Sequence, residues 1–169
     1  PTIWRPKSGS FSLTAGEAWP MRELTGFTRT INYERRSARD EMNFAQPVFG
    51  GVQDGYLAKL APAGNVITYG TYLGGNQDDV AYGVVADSSG SAYAVGSTKS
   101  LNFPTAAARQ GSFGGGVSDA FVTKVSPSGG AFVYSTYHGG SGAELVYICA
   151  LDSGGALVIG GYTGSVNLP

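Results

Sequence analysis

The side chains best able to carry chemistry occur singly in this sequence. His138 is the only histidine, and nucleophilic catalysis would need a paired nucleophile and an orienting carboxylate, for which no motif surrounds it. Cys149 is the only cysteine, and its apolar neighbours favour a small core residue, since a reactive thiol needs an electropositive, accessible setting. We therefore predict that the chain is not an enzyme and has no catalytic residue.

Two adjacent carboxylates are a candidate for a metal site. Asp78 and Asp79, with Asn76 nearby, could supply some of the roughly six to eight oxygen ligands that Ca²⁺ takes. The alternative is that these carboxylates cap a solvent-facing turn. The second copy of the repeat described below has Ala143 and Glu144 in their place, which favours the capping interpretation, so no cofactor is expected.

A glycine-rich segment, residues 139–142, follows strand-like residues in the manner of a phosphate-binding loop. Its spacing does not fit the GxGxxG pattern of dinucleotide-binding loops. The equivalent segment of the first repeat copy is followed by Gly83, Val84 and Val85, which suit a strand better than the helix that such a loop requires. We therefore predict no nucleotide-binding site here.

Composition and charge indicate many short strands and exclude two classes of partner. The chain contains 27 glycines, ten tyrosines and eight phenylalanines, a mixture typical of strands joined by tight turns. Its net charge of −1 creates no general attraction to nucleic acid or to an anionic membrane surface. No apolar run reaches the roughly 18 residues of a membrane-spanning helix, so we predict neither nucleic-acid binding nor membrane insertion.

An internal repeat is the main organising feature of the chain. Residues 54–104 align with residues 119–169 at an offset of 65 positions without a gap, and 18 of the 51 aligned residues are identical. The shared residues lie mostly at turns and strand ends, and they include Asp54/Asp119, Gly74-Gly75/Gly139-Gly140, Asp87-Ser88/Asp152-Ser153, Gly90/Gly155, Gly96/Gly161 and Asn102/Asn167. Because backbone geometry is most demanding there, the repeat preserves a backbone path.

Each period of the repeat predicts four antiparallel strands. Residues 81–86 and 92–98 form one hairpin, whose turn at residues 87–90 has the aspartate and glycine that such turns favour. Residues 120–125 and 131–137 form a second hairpin, and a longer connection joins the two. We therefore predict an all-β fold of antiparallel four-stranded blades like those of β-propellers.

Three segments carry a resemblance to a known family. Residues 134–140 (YSTYHGG), 87–96 (DSSGSAYAVG) and 118–125 (SDAFVTKV) resemble the bacterial SBBP repeat, named for a predicted seven-bladed β-propeller. The resemblance covers about residues 46–169. It implies an extracellular or cell-envelope bacterial protein in which the repeats serve as scaffold or adhesion modules, and it implies no catalytic residues.

The phase of the repeat leaves half a blade at each end of the repeat region. Residues 46–169 make about 1.9 periods, whereas closed propellers use about four to eight blades. Half-blades have open strand edges, which template pairing with another chain. We expect the C-terminal hairpin of one copy to complete a blade with the N-terminal hairpin of the next copy or of a partner, giving a ring or a filament. The alternative is that the chain is a fragment of a longer propeller.

Residues 1–45 differ from the repeat region and form an N-terminal arm or a divergent half-blade. They hold seven of the eleven Lys and Arg residues of the chain. Residues 34–42 favour a short helix, and residues 11–14 and 27–33 have strand-like alternation. Arg35 and Arg36 could dock on an acidic partner, although an ordinary solvated face is the favoured interpretation.

Tyrosines recur at repeat positions and give a second candidate for an interaction site. The recurring rings are Tyr69, Tyr72, Tyr82, Tyr134, Tyr137 and Tyr147. Packing between blades is their expected role, but exposed rings such as Tyr72 and Tyr137 could bind a carbohydrate or a peptide. The sequence thus favours an extracellular scaffold, with a carbohydrate- or ligand-binding propeller module, or a fragment of a secreted propeller enzyme, as alternatives.

Overall fold

The computed structural model describes residues 43–169, and within this range the chain contains only strands, turns and irregular connections. The strands are β1 Gly55–Leu60, β2 Ile67–Leu73, β3 Asp79–Ala86, β4 Ala92–Thr98, β5 Asp119–Val125, β6 Phe132–His138, β7 Glu144–Leu151 and β8 Leu157–Thr163. The predicted helix at 34–42, the predicted strands at 11–14 and 27–33, and the candidate residues Arg35 and Arg36 all lie outside the described residues.

The strands form one complete blade between two half-blades. The middle sheet has the order β3-β4-β5-β6, while β1-β2 and β7-β8 form two-stranded sheets on their own. Every strand pair is antiparallel. This arrangement confirms the predicted all-β fold of propeller-type blades and the predicted half-blade at each end of the repeat region, and the described strands form no closed ring.

The hairpin turns of the two repeat copies have the same geometry. In the β3–β4 turn, Asp87 Oδ1 accepts hydrogen bonds from the backbone N–H groups of Ser89 and Ser91 at 3.0 and 2.9 Å. Gly90 has a φ of 87°, a left-handed conformation that suits glycine. In the β7–β8 turn, Asp152 accepts from the equivalent N–H groups and Gly155 has a φ of 83°, so the repeated Asp and Gly preserve one turn.

An aromatic cluster attaches the long connection between β4 and β5 to the complete blade. Phe103, in that connection, stacks on Phe121 of β5 with ring centroids 4.6 Å apart. Tyr137 of β6 meets Phe103 edge to face at 6.0 Å. The Tyr137 hydroxyl donates to the carbonyl of Ser100 at 2.7 Å and accepts from the N–H of Phe103 at 2.8 Å. These contacts order the connection although it contains no regular strand.

Neighbouring blades pack through their inner strands. Val95 and Val122 of the complete blade join Val146 of β7 in a buried cluster. At the edge of this contact, Tyr82 of β3 and Tyr147 of β7 lie with their ring centroids 5.3 Å apart. These two tyrosines occupy equivalent repeat positions, so the predicted packing of tyrosines between blades is confirmed for this pair.

Gly96 of β4 and its repeat equivalent, Gly161 of β8, each lie beside a bulge in the neighbouring strand. The β3–β4 register shifts between Ala81 and Gly83, and the backbone of β3 then approaches Gly96 closely. A Cβ atom on Gly96 would stand 1.9 Å from the Val80 carbonyl oxygen and 2.8 Å from the ring of Phe121. Any larger residue must therefore displace either the bulge or the aromatic core.

We expect Gly96→Ala to lower the free energy of unfolding by about 2 to 3 kcal/mol, because the added methyl overpacks the sheet. Gly111→Ala is the control, since a Cβ on Gly111 would meet no atom within 4 Å, and it should change stability by less than about 0.5 kcal/mol. Chemical denaturation of both variants measures the difference. Equal effects would show that the close approach at Gly96 carries no energy.

Candidate functional site

Two strand edges of the described structure lack the strand that their repeat equivalents have beside them. Six strands have a neighbouring strand on one side only, and β1 and β8 are the two of these whose equivalents pair on both sides. By the repeat offset, β1 is the equivalent of β5 and β8 is the equivalent of β4. Inside the complete blade β4 and β5 pair with each other, so the two open edges are of complementary kinds.

The open edges expose residues at positions that the complete blade buries. Tyr56 of β1 is 73% exposed, whereas its equivalent Phe121 is 0% exposed. Val158 of β8 is 58% exposed, whereas its equivalent Tyr93 is 5% exposed. Because the half-blades lack the strand that covers these positions in the complete blade, they present apolar side chains beside unpaired backbone groups.

A groove of about 490 Å³ lies between β1 and β3. Residues of the two strands form its walls, among them Tyr56, Leu57, Ala81 and Val84. In the complete blade the corresponding position beside β5 is filled by the β3–β4 hairpin, which pairs with β5 and packs against β7. The groove therefore lies where an inner hairpin would lie, and the first half-blade has no such hairpin among the described residues.

The structure places the two predicted metal ligands in different environments. Asp78 is partly exposed and forms an ion pair with Lys99 at 3.0 Å. Asp79 is buried, and its Oδ2 accepts hydrogen bonds from the Gly75 N–H and the Ser100 hydroxyl, both at 2.7 Å. No group of three His, Cys, Asp or Glu side chains suited to a metal occurs among residues 43–169. Ca²⁺ binding by this pair stays the less favoured of the two interpretations.

The capping interpretation of Asp79 agrees with its contacts. Asp79 bonds to the loop that carries Gly74 and Gly75, whose tip at Asn76 and Gln77 is exposed, while the carboxylate itself is 0% exposed. Glu144 has the same role in the second copy, where it accepts from the Gly140 N–H at 2.9 Å and the Ser165 hydroxyl at 2.6 Å. The repeat thus preserves this capping bond even though the residue type changes.

Each of these buried carboxylates is near a second one that sequence reasoning missed. Asp119 Oδ1 and Glu144 Oε2 lie 2.4 and 2.7 Å from the point where a Cβ on Gly139 would stand, so the two oxygens share one small space. In the first copy, Asp54 and Asp79 are the equivalent residues. The identity of Asp54 and Asp119 between the copies, next to the shared glycine pairs, was the sequence signal for these carboxylate pairs.

Unpaired oxygens mark these carboxylate pairs as sites for a proton. Asp54, Asp79 and Asp119 each have a buried Oδ1 atom without a hydrogen-bond donor. Burial raises the pKa of Asp119, and the negative charge of Glu144 raises it further, against hydrogen bonds from Gly114 and Gln110 that lower it. Burial likewise raises the pKa values of Asp54 and Asp79. A single proton bound by one carboxylate of a pair would replace the repulsion between the two negative charges by a hydrogen bond between the two carboxyl groups.

Glu144 is the member of the second pair that keeps its charge. Burial alone would raise its pKa, but hydrogen bonds from Ser165, Gly140 and Thr163 outweigh burial and lower it. The two carboxyl groups of the pair therefore differ in proton affinity, and Asp119 is the one that takes up the proton.

We expect Asp119→Asn to raise the free energy of unfolding at pH 7 by about 1 kcal/mol, because its amide N–H supplies the missing donor opposite Glu144. The raised pKa of Asp119 means that the wild type loses stability as pH rises from the ordinary value of 3.8 through the native pKa. The advantage of the variant should therefore be small below pH 3.8 and full at neutral pH. Denaturation between acid and neutral pH measures it.

Asp78→Asn is the matched control for this prediction, since it removes an exposed carboxylate from the ion pair with Lys99. It should change stability by less than about 1 kcal/mol. A loss of stability in Asp119→Asn greater than that in Asp78→Asn at neutral pH would contradict the facing arrangement of Asp119 and Glu144.

The two candidate interaction tyrosines differ in exposure. Tyr72 of β2 is partly exposed and meets Phe49 edge to face at 5.8 Å. Tyr137 is 2% exposed, and its hydroxyl bonds within the chain, so packing accounts for its position.

Cys149 is half-buried, and burial raises the pKa of its thiol, which keeps the group protonated and unreactive at neutral pH.

These blades, turns and carboxyl caps define a repeat protein of β-propeller type. The SBBP family model, described as a beta-propeller repeat, matches residues 68–104, which run from β2 through β3 and β4 into the following connection. This segment of the chain therefore matches an SBBP beta-propeller repeat, and residues 133–169 are its equivalent by the internal offset. A search of the curated proteins finds no match. No helix long and apolar enough to cross a membrane occurs in the described range.

Proposed function

We propose that this chain is a non-enzymatic interaction scaffold of the bacterial cell exterior that assembles through its open strand edges. The observation that carries this proposal is the complementarity of the two edges, because β1 and β8 are the equivalents of two strands that pair inside the complete blade. The extracellular or envelope location rests on the resemblance to SBBP repeats. No catalytic step is assigned to any residue.

Edge pairing is favoured by two physical terms. Unpaired backbone N–H and C=O groups along β1 and β8 gain hydrogen bonds when a further strand is added, as in other cases of recognition by strand addition. Strand addition would also remove from water the apolar surface of Tyr56 and Val158, which are mostly exposed. Such burial stabilises the contact by about 25 cal/mol per Å². The same edges would aggregate without control if left open, so assembly is their expected use.

We expect the purified chain to sediment as oligomers at micromolar concentration, and Tyr56→Lys to weaken that association by about tenfold or more, since pairing would bury the new charge. Leu101→Lys is the control, because Leu101 is 72% exposed, close to the 73% of Tyr56, but lies in the connection after β4. Analytical ultracentrifugation compares the variants. A wild type that stays monomeric throughout would refute the proposal and favour a fragment of a longer propeller.

A ligand-binding propeller module is the second candidate function, and one observation favours it. Tyr82 and Tyr147 are 44% and 49% exposed, and their rings lie side by side on the innermost strands of neighbouring blades. Paired exposed rings of this kind can stack on a sugar or a peptide. No comparable observation among the described residues favours the third candidate, a fragment of a secreted propeller enzyme.

If this second function holds, the wild-type chain should bind a defined class of sugar on a glycan array, and Tyr147→Ala should abolish the signal. Val133→Ala is the control, because Val133 is 48% exposed but lies on the outer strand β6. Equal loss in the two variants, or no binding by the wild type, would exclude the tyrosine pair as a sugar site.

A further inference from the structure

We infer that the partner of the open edges is a second copy of this chain, whose β7–β8 hairpin enters the groove beside β1 in the register that β4 and β5 use inside the complete blade. This inference rests on the proposed function and adds the partner, the groove and the register. The completed blade would have the order β7-β8 from one copy followed by β1-β2 from the next.

The register follows from the internal pairing of the complete blade. There, Tyr93 lies opposite Lys124 and Gly96 lies opposite Phe121. Shifting β4 forward and β5 backward by the repeat offset of 65 gives the pairs across the new contact. Val158 of one copy then lies opposite Lys59 of the next, Gly161 opposite Tyr56, and Thr163 opposite Asp54.

The side chains at this contact fit the transferred register. Inside the complete blade the ring of Phe121 comes so close to Gly96 that a Cβ there would stand 2.8 Å from it. Gly161 of β8 has the same close approach to the neighbouring backbone, since a Cβ there would stand 1.9 Å from the Leu145 carbonyl oxygen, and it therefore has no side chain to collide with the exposed ring of Tyr56 on the next copy. A register shifted by one residue would turn the apolar face of β8 away from the groove. The glycine therefore selects the register in which the Tyr56 ring is covered.

One copy cannot close this contact on itself. Its β1 and β8 lie in different half-blades on either side of the complete blade, and closing a ring takes about four blades or more. The described residues of one copy supply one complete blade and two halves, so a ring closed through this contact needs more than one copy, and a contact that does not close gives a filament.

Disulfide trapping between two single-cysteine variants tests the register. Lys59→Cys and Val158→Cys, each combined with Cys149→Ala, are prepared separately as full chains, mixed and oxidised. Directly opposite positions satisfy disulfide geometry, whereas positions displaced by two residues lie too far apart. We expect a covalent heterodimer in the mixture, reversed by reductant, at a yield at least about tenfold above either variant alone.

The matched control replaces Val158→Cys by Ala156→Cys, which lies two residues away, immediately before the start of β8. A yield from the control mixture equal to that from the test mixture would overturn the register. Absence of a covalent product in the mixture of the two cysteine variants, with a wild type that sediments as oligomers, would overturn the inference but leave the proposed edge assembly intact. Absence of both cross-linking and oligomers would refute both.

Discussion

Backbone pairing at strand edges is the constraint on which the rest of this structure depends. A strand inside a sheet bonds on both sides, and the complete blade achieves this for β4 and β5 through their mutual pairing. The half-blades leave β1 and β8 with one side each unpaired among the described strands. By the repeat, β1 and β8 are the equivalents of β5 and β4, which pair with each other inside the complete blade. The β4–β5 contact therefore shows the geometry in which a further strand would pair with each open edge. The proposed interaction therefore depends on the phase of the repeat rather than on a single binding residue.

The second constraint is the junction between blades, where backbone loops meet buried carboxyl groups. Gly139 has no side chain because Asp119 and Glu144 occupy the space that a Cβ would need. The carboxyl oxygens bond to loop N–H groups that would otherwise be buried without partners. These contacts set the position of one blade relative to the next, so the angle between the open edges depends on them. In the proposed assembly the same angle would repeat from copy to copy, which requires this junction to be rigid.

Much of the fold could be predicted, because it follows from local chemistry. The β4 strand begins and ends where the alternation and the turn residues indicated, and the Asp87 and Gly90 turn was recognisable from residue types alone. The β3 strand begins two residues earlier than expected, at Asp79, since a buried charged residue breaks the apolar pattern. Sequence reasoning grouped Asp79 with its neighbour Asp78, whereas the structure turns the two side chains to a buried loop and to Lys99 respectively.

The sequence by itself determined the backbone path of this protein: the strand periods, the turns and the phase that leaves half-blades at both ends of the repeat, because these depend on residues close together in the chain. Only the tertiary structure decided which carboxylates face each other, that the Tyr137 ring is buried while the Tyr56 ring is exposed, and that a groove opens beside β1. Those features arise where hairpins distant in sequence pack together. The residues in such contacts follow no regular spacing along the chain, so the sequence pattern does not identify them.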